Sequence, residues 1–521
     1  MFDAFLQGFQ FILRVDTYLY IIAGLAAGMF VGAMPGLTTV LALAVLLPIS
    51  FKVEPMLGIP FLIGITKGGI YGGSIPAILV GIPGTGASIA TCFDGPSLTR
   101  KGQARKALEM ALYASVAGDA LSDIITIALI GFFAALVLLI GPPEVFAIIF
   151  LSLVLIAGVS GESGLKGAIA AFLGLGLGFI GTDATTGATR MTFGLEALSG
   201  GIPLIPLIIG VFAVPEILGA VESKAPRFVS ERVDFSRVGE CLRWHEFRAS
   251  IRTILRSTAI GTWIGAVPGV GQVVAAFVGY SAAKRASTHP ETFGKGDLDG
   301  IAGPEAANNA VNGPTLVPLL TLGIPGDNTT AIMLGAFVAH GMRPGPQIFQ
   351  EQGPLLYGLM ITMVLSNILF LAVGYILLKP FAYAIQMKKA YLIPLIVILA
   401  FVGTLSTGDV SDLGIMIVVG LAAYILRKLE FDLAPLVIAF VLAEPIEYSL
   451  SQSLLYARGS VLSYFFMARP IAGAFMPAAI LWIAWMSVRG RLQRAPRPPP
   501  CSRPSRRRRP TRTGPSPSSF R

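Results

Sequence analysis

The sequence predicts an all-α polytopic membrane protein, an inverted-topology repeat of about 11 crossings with two re-entrant Gly-Ile-Pro-Gly hairpins. Three observations lead there. The 521 residues are 54% hydrophobic and 13% charged, whereas soluble domains carry about 25% charged residues. Gly81-Ile82-Pro83-Gly84 recurs as Gly323-Ile324-Pro325-Gly326, each copy inside an apolar run. The loop charges of the two halves also alternate in opposite senses. Cytoplasmic loops carry the Lys/Arg excess, so the halves point in opposite directions.

The first apolar segment, 18–47, contains Gly28-x-x-x-Gly32-x-x-Pro35-Gly36, and Gly261-x-x-x-Gly265-x-x-Pro268-Gly269 repeats it 233 positions later. Glycines at this spacing let helices approach closely in a membrane. The Gly-Ile-Pro-Gly unit recurs after 242 positions, with Pro76 matching Pro318, and Ser122-Asp123-Ile124 answers Ser366-Asn367-Ile368 after 244. Matching order with slowly drifting offsets indicates a duplication, the extra residues falling in the polar loop 287–299. Four more apolar segments follow in each half: 107–140, 145–159, 165–181 and 202–220, then 355–378, 392–405, 413–426 and 433–450. The expected divisions are a first repeat at 18–220, a charged cytoplasmic linker at 221–256, a second repeat at 257–450, a final transmembrane helix at 459–488 and a disordered Arg/Pro-rich tail at 489–521.

Loop charge orients these segments. Arg100, Lys101, Arg105 and Lys106 mark a cytoplasmic loop whose counterpart, 341–353, has only Arg343 among its cations. Conversely, Lys379, Lys388 and Lys389 answer the loop 141–144, which has no cation, and Arg427-Lys428 mark another cytoplasmic turn. If 18–47 crosses once, 57–93 must enter and leave on one side, which places each Gly-Ile-Pro-Gly at a hairpin tip. The N-terminus is then outside and the C-terminus inside. The net charge of +10 belongs to the tail, whose eleven arginines and absence of acids leave 10 − 11 = −1 for the remainder. Cytoplasmic anchoring, not nucleic-acid binding, is its expected role. Cys92, Cys241 and Cys501 share no metal spacing, and no cleaved signal peptide is read at the N-terminus.

The run from Lys67-Gly68-Gly69-Ile70-Tyr71-Gly72-Gly73-Ser74-Ile75-Pro76 through the first Gly-Ile-Pro-Gly resembles the TctA family. So do Asp94-Gly95-Pro96 and Gly303-Pro304-Glu305-Ala306-Ala307-Asn308-Asn309-Ala310, and the resemblance covers roughly 18–485. TctA is the large permease subunit of bacterial tripartite tricarboxylate transporters. The resemblance implies an inner-membrane secondary transporter importing a carboxylate, with a small TctB-like membrane subunit and a TctC-like periplasmic solute-binding protein. It implies an ion gradient as driving force, commonly sodium. No cofactor is expected beyond a coupling sodium ion or proton, and a homo-oligomer is compatible with the reading. The tail after 489 looks unlike the family.

The segments after Gly84 and Gly326 are expected to begin half-helices whose free N–H groups and positive dipole ends suit a carboxylate. Gly84, Thr85, Gly86, Ser88, Gly326, Asn328, Thr329 and Thr330 are therefore substrate-site candidates, with Lys67, Asn308 and Asn309. The plainer alternative is that the hydroxyls only cap the half-helices. Lys67 stands in an uncharged run; it pairs with substrate, pairs with an acid such as Asp119, or reaches to the cytoplasmic surface. Its repeat partner is Asn309. Asp119 and Asp123 share a helix face and, with Asp327 and Asn367, are ion-coupling candidates because hard cations take oxygen ligands. A salt bridge with Lys67 and a helix cap at Asp327 are the structural alternatives. The two tips are expected to face one another across a single site.

An enzyme is not expected: Gly81-x-x-x-x-Gly86-Ala87-Ser88 imitates a phosphate-binding loop but has alanine where lysine is required. An ion channel or a stand-alone carboxylate permease are the alternative functions. Saturable flux that depends on a periplasmic binding protein discriminates against both.

Overall fold

The computed structural model describes residues 2–10, 13–137, 140–159, 164–183, 187–222, 241–342, 344–345, 348–384, 389–406, 408–457 and 460–493. Half of the charged linker (223–240), most of the Arg/Pro-rich tail, Arg343 and Lys388 lie outside them. The first half comprises α1 (Phe2–Gln10), α2 (Val15–Gly32), α3 (Thr39–Ser50), α4 (Pro55–Val80), α5 (Gly95–Arg100), α6 (Ala104–Val137), α7 (Pro142–Val159), α8 (Gly164–Gly178) and α9 (Leu204–Glu222). The second begins with α10 (Trp244–Gly265), α11 (Gly271–Ala286), α12 (Asp299–Asn309), α13 (Asn312–Leu322), α14 (Asn328–Ala339) and α15 (Ile348–Glu351). It continues with α16 (Gly353–Ile376), α17 (Leu378–Ala384), α18 (Lys389–Leu405), α19 (Ser411–Lys428) and α20 (Ala434–Tyr456), before α21 (Val461–Ser463) and α22 (Pro470–Gln493). Among the described residues the only sheet is a two-residue ladder, β1 (Gly181–Thr182) against β2 (Thr189–Arg190).

The protein is a helical membrane protein. Six helices among the described residues are long and apolar enough to cross a membrane: α2, α4, α6, α9, α16 and α20. A bent pair, 461–468 with 470–484, adds a seventh if it forms one span. Crossings beyond these rest on shorter apolar helices such as α3, α8 and α14, below the ~20 residues that a straight span prefers.

Glycine decides how closely the central helices pack. A Cβ at Gly24, Gly28 or Gly32 of α2 would stand 2.1, 2.2 or 2.4 Å from the carbonyl oxygens of Phe61, Ile65 and Gly69. From the other side, Gly64, Gly68 and Gly72 of α4 face backbone of Ile21, Leu25 and Met29 at 2.7, 2.3 and 2.6 Å. Spacings of four keep these glycines on facing stripes. The second half uses the same device, with Gly261 and Gly265 of α10 against the carbonyls of Ala307 and Val311. Every residue from Met56 to Leu79 of α4 is buried, making it the axis of the molecule.

Two expectations about chain path change. Segment 18–47 does not run straight: α2 ends at Gly32, the chain turns through Gly36 (φ 83°), and α3 returns beside α4. Thr39 lies against Gly69, and the Ser50 carbonyl lies against Gly58. Segment 57–93, expected as a hairpin, instead holds most of α4, 26 residues and about 39 Å long. The reason is local. Pro35-Gly36 supplies both a missing N–H and a positive φ, whereas the glycines within α4 each meet a neighbouring segment of the chain. The return of the chain thus lies one segment earlier than expected.

Each Gly-Ile-Pro-Gly turns back alongside the helix it ends. Gly81 terminates α4 with φ 70°, and the Gly84 N–H donates to the Gly73 carbonyl at 3.1 Å, two turns before the helix end. Gly323 ends α13 with φ 69°. Gly326 then lies against Thr315, its carbonyl accepting from the Gly269 N–H at 2.8 Å. In the second half the long helix is interrupted at Ala310–Val311, where Pro314 has no N–H to give to the Ala310 carbonyl.

Contacts fix the helix directions. α4 runs antiparallel to α6, with Tyr71 near Leu108 and Lys67 near Asp123, and parallel to α16, with Lys67 near Met363 and Tyr71 near Phe370. α12 and α13 run parallel to α6, with Gly118 on Ala306 and Gly313 on Asp123, and so opposite to α4, their equivalent by sequence offset. α8 runs parallel to α20 and α9 parallel to α19. Helices of each half thus pack on those of the other.

Candidate functional site

Lys67 sits at the middle of α4, 67 − 55 = 12 residues from its start and 80 − 67 = 13 from its end, about 18 and 20 Å. It is 1% exposed, so it does not reach the surface. Its ammonium lies 2.6 Å from Asp123 Oδ2 and 2.9 Å from Asp119 Oδ2, and donates to Asn367 Oδ1 at 3.0 Å and the Met363 carbonyl at 3.1 Å. Asp119 and Asp123 are one turn apart on α6 and both point at α4. Asn367 on α16 also donates to Asp123 Oδ2 at 2.7 Å. Asn312 on α13 donates to Asp119 Oδ1 at 3.2 Å and accepts from Gln272 of α11 at 3.0 Å. Burying each ion costs several kcal/mol, which is offset only if every partner is in place.

The second tip stands beside this cluster. Asp327 caps α14, its carboxylate accepting from the Thr330 N–H and hydroxyl, both at 2.8 Å. The capping alternative for Asp327 is therefore what the geometry provides. A cavity of about 30 Å³ bounded by Lys67, Gln272, Asn312, Asp327, Thr329 and Thr330 has room for about two waters. Asn328 is half-buried beside it in sequence, and its Oδ1 has no hydrogen-bond partner.

The first tip is built differently. Thr85 and Ser88 share a hydroxyl–hydroxyl bond of 2.7 Å, and the Ser88 N–H donates to Thr85 Oγ1 at 3.3 Å. Two short 3-10 turns, Ala87–Ile89 and Thr91–Phe93, follow in place of the expected half-helix. The aspartate cap that starts α14 has only a threonine as counterpart here, with Gly86 next in line. Gly84, Thr85, Gly86 and Thr38 line an open cleft of about 620 Å³ faced by Glu216, Glu222, Arg427 and Lys428. There Arg427 pairs with Glu216 at 2.6 Å, and Lys428 with Glu222.

Neither of these two cavities is lined by both tips. The start of α11 stands between them: Gly271 approaches Asp327, Gln272 borders the small cavity, and Val273 packs on Gly86. Asn308 and Asn309 lie on α12, away from both tips' linings. Asn309 donates to Ser115 and to the Glu305 carbonyl, both at 2.9 Å, while neither side-chain atom of Asn308 has a hydrogen-bond partner.

Sequence reasoning passed over Glu305. It is 1% exposed and accepts hydroxyl hydrogens from Ser74 (2.6 Å), Thr91 (2.5 Å) and Ser115 (3.2 Å), joining α4, the arm after the first tip and α6 to α12. Its signal was present: it is the only acid between Gly300 and Leu322, and an acid at membrane depth is a functional candidate by default. Asp94 is an anchor of another kind, accepting the N–H groups of Gly294, Gly296 and Asp297 at 2.8, 2.8 and 2.9 Å. Among the described residues, no three His, Cys, Asp or Glu side chains gather as a metal centre.

Comparison with known proteins adds two findings. A family model described as "Tripartite tricarboxylate transporter TctA family" matches residues 18–438. Two proteins of Agrobacterium vitis are similar to the chain. The "Uncharacterized 52.8 kDa protein in TAR-I ttuC' 3'region" is 34% identical over 475 residues, covering 91% of this chain and 93% of that protein. The "Uncharacterized protein in TAR-II ttuC' 3'region" is 34% identical over 224 residues, 43% of this chain and 92% of that protein. No solved structure matches.

Proposed function

The chain belongs to the tripartite tricarboxylate transporter TctA family, and on that premise we propose that it is the large subunit of a secondary transporter importing a carboxylate across the bacterial inner membrane. A TctB-like subunit and a TctC-like periplasmic binding protein complete the system, and an ion gradient drives it. The observation that carries this reading is a fully buried Lys67–Asp119–Asp123 cluster beside the second of two duplicated helix breaks, each of which borders a cavity. Irregular backbone persists at membrane depth where it lines a cavity or is covered by protein, and charges there mark transport pathways.

The opposite directions of α4 and of α12–α13 support an inverted repeat, the architecture that lets one site face either side. The 620 Å³ cleft lies at the end of the molecule bearing Arg427 and Lys428, the cytoplasmic end by the positive-inside rule. The first tip is then open to the cytoplasm while the second is closed. In this reading Thr85, Gly86 and Ser88 meet the substrate on one side of the partition at 271–273, and Thr329 and Thr330 on the other. Movement of that partition joins the two half-sites, with Asp119, Asp123 and Asn367 serving the coupling ion.

The test is uptake of radiolabelled citrate, and of other di- and tricarboxylates, by proteoliposomes containing the full chain and its small subunit. Saturable uptake that requires the binding protein and an ion gradient is expected. Unsaturable current would instead make the protein a channel, and saturable uptake by this chain alone would make it a stand-alone permease.

A further inference from the structure

The buried cluster is short of one positive charge. Lys67 contributes +1 and Asp119 and Asp123 −1 each, a sum of −1, at side-chain exposures of 1%, 0% and 0%. The other polar groups facing it, Asn312 of α13, Asn367 and the Met363 carbonyl of α16, and Gln272 of α11 through Asn312, are neutral. The titratable groups beyond are acids as well. Asp327 of α14 lies across the small cavity, and Glu305 of α12 meets α6 at Ser115, one turn before Asp119. An uncompensated charge at this depth is neutralised in practice rather than tolerated.

A metal ion would need a ring of oxygens around an open centre. Here the centre is filled by the Lys67 ammonium, which already meets four oxygens within 3.1 Å. The Asn312 and Asn367 side chains turn their N–H groups, not free oxygens, towards the carboxylates. Yet two carboxylate oxygens lack a hydrogen bond: Asp123 Oδ1 has no partner, and Asp119 Oδ2 is within ion-pair range of Lys67 but out of hydrogen-bond alignment.

We propose that Asp119 and Asp123 share one exchangeable proton, bound and released once in each transport cycle, so that this cluster is a proton-coupling site and not a sodium site. The inference rests on the transporter reading and names its coupling ion. A proton from water on one side adds to a carboxylate oxygen to give a neutral carboxylic acid. It leaves to water on the other side when that acid ionises, and no other bond changes. The pair titrates as a unit, so the proton belongs to both residues. Linkage to substrate follows from Lys67 bordering the same cavity as Thr329 and Thr330. A substrate carboxylate that draws the ammonium towards the second tip weakens its hold on the aspartates, so the shared proton is bound more tightly.

The test is infrared difference spectroscopy on the purified full-length protein in lipid nanodiscs, without substrate, between about pH 5 and pH 8. The C=O stretch of a buried carboxylic acid is expected in the parent at the acid end. Asp119→Asn and Asp123→Asn each leave one carboxylate against one ammonium, and each should abolish that band. Lys67→Met/Asp123→Asn, which leaves a single carboxyl, should show it over the whole range and stands in if a single variant does not fold. A parent spectrum with no band that these variants remove would overturn the proposal. So would a cluster signal that responds to millimolar sodium at constant pH and not to pH. Because no substrate is present, such a result leaves the transporter reading to the uptake assay.

Discussion

Among the described residues Lys67 is the only cation within ion-pair distance of Asp119 and Asp123, and it also donates to Asn367 Oδ1. Lys67→Met leaves two facing acids without a cation and should destabilise the protein by about 3–5 kcal/mol, the usual cost of breaking a buried pair. Loss of monodisperse protein in a thermal size-exclusion assay checks this; a parent-like melting curve would mean that the acids are neutral without Lys67. At Glu305 the carboxylate organises three hydroxyl donors. Glu305→Gln puts an N–H donor among them and should cost about 1–3 kcal/mol. It should also loosen the arm after the first tip. Cys92, half-buried next to Thr91, gives a direct readout: in a protein lacking the other cysteines its labelling rate should rise. An unchanged rate would leave Glu305 no role in holding that arm.

Among the elements, the α2–α4 contact depends on side chains that are not there. Gly28→Leu must push a side chain into the Ile65 carbonyl, 2.2 Å from the Cβ position. Overpacking of this kind typically costs about 1–3 kcal/mol and sometimes more, so folded yield should fall sharply. Gly176 of α8 is the control: nothing lies within 4 Å of its Cβ position. Gly176→Ala should leave folded yield unchanged or raise stability by about 0.5–1 kcal/mol, as alanine does in a helix. Equal losses in both variants would show that the glycines are not a packing face. The Gly-x-x-x-Gly spacing was legible in the sequence as a close-approach motif. That the partner stripe would be Gly64, Gly68 and Gly72 was not, because residue spacing marks a face without naming what lies against it.

For the whole molecule, the open first tip and closed second tip predict unequal access. In a cysteine-free background, Thr85→Cys should react with a membrane-impermeant thiol reagent applied to inside-out vesicles, and Thr329→Cys should not. Equal labelling of both positions would exclude the inward-open arrangement. The sequence by itself determined the membrane class, the duplicated breaks, the family resemblance and the candidates Lys67, Asp119, Asp123 and Asn367. These rest on composition, short motifs and local backbone chemistry, which a linear chain carries in full. Only the tertiary structure decided that α2 and α3 form the returning pair, that α11 separates the tips, and that Glu305 gathers three hydroxyls. It also decided that Lys67 meets Asp123 and Asn367, 56 and 300 positions away. Such pairings depend on which helices become neighbours, and that is settled by packing between distant segments rather than by the residues adjoining them in the chain.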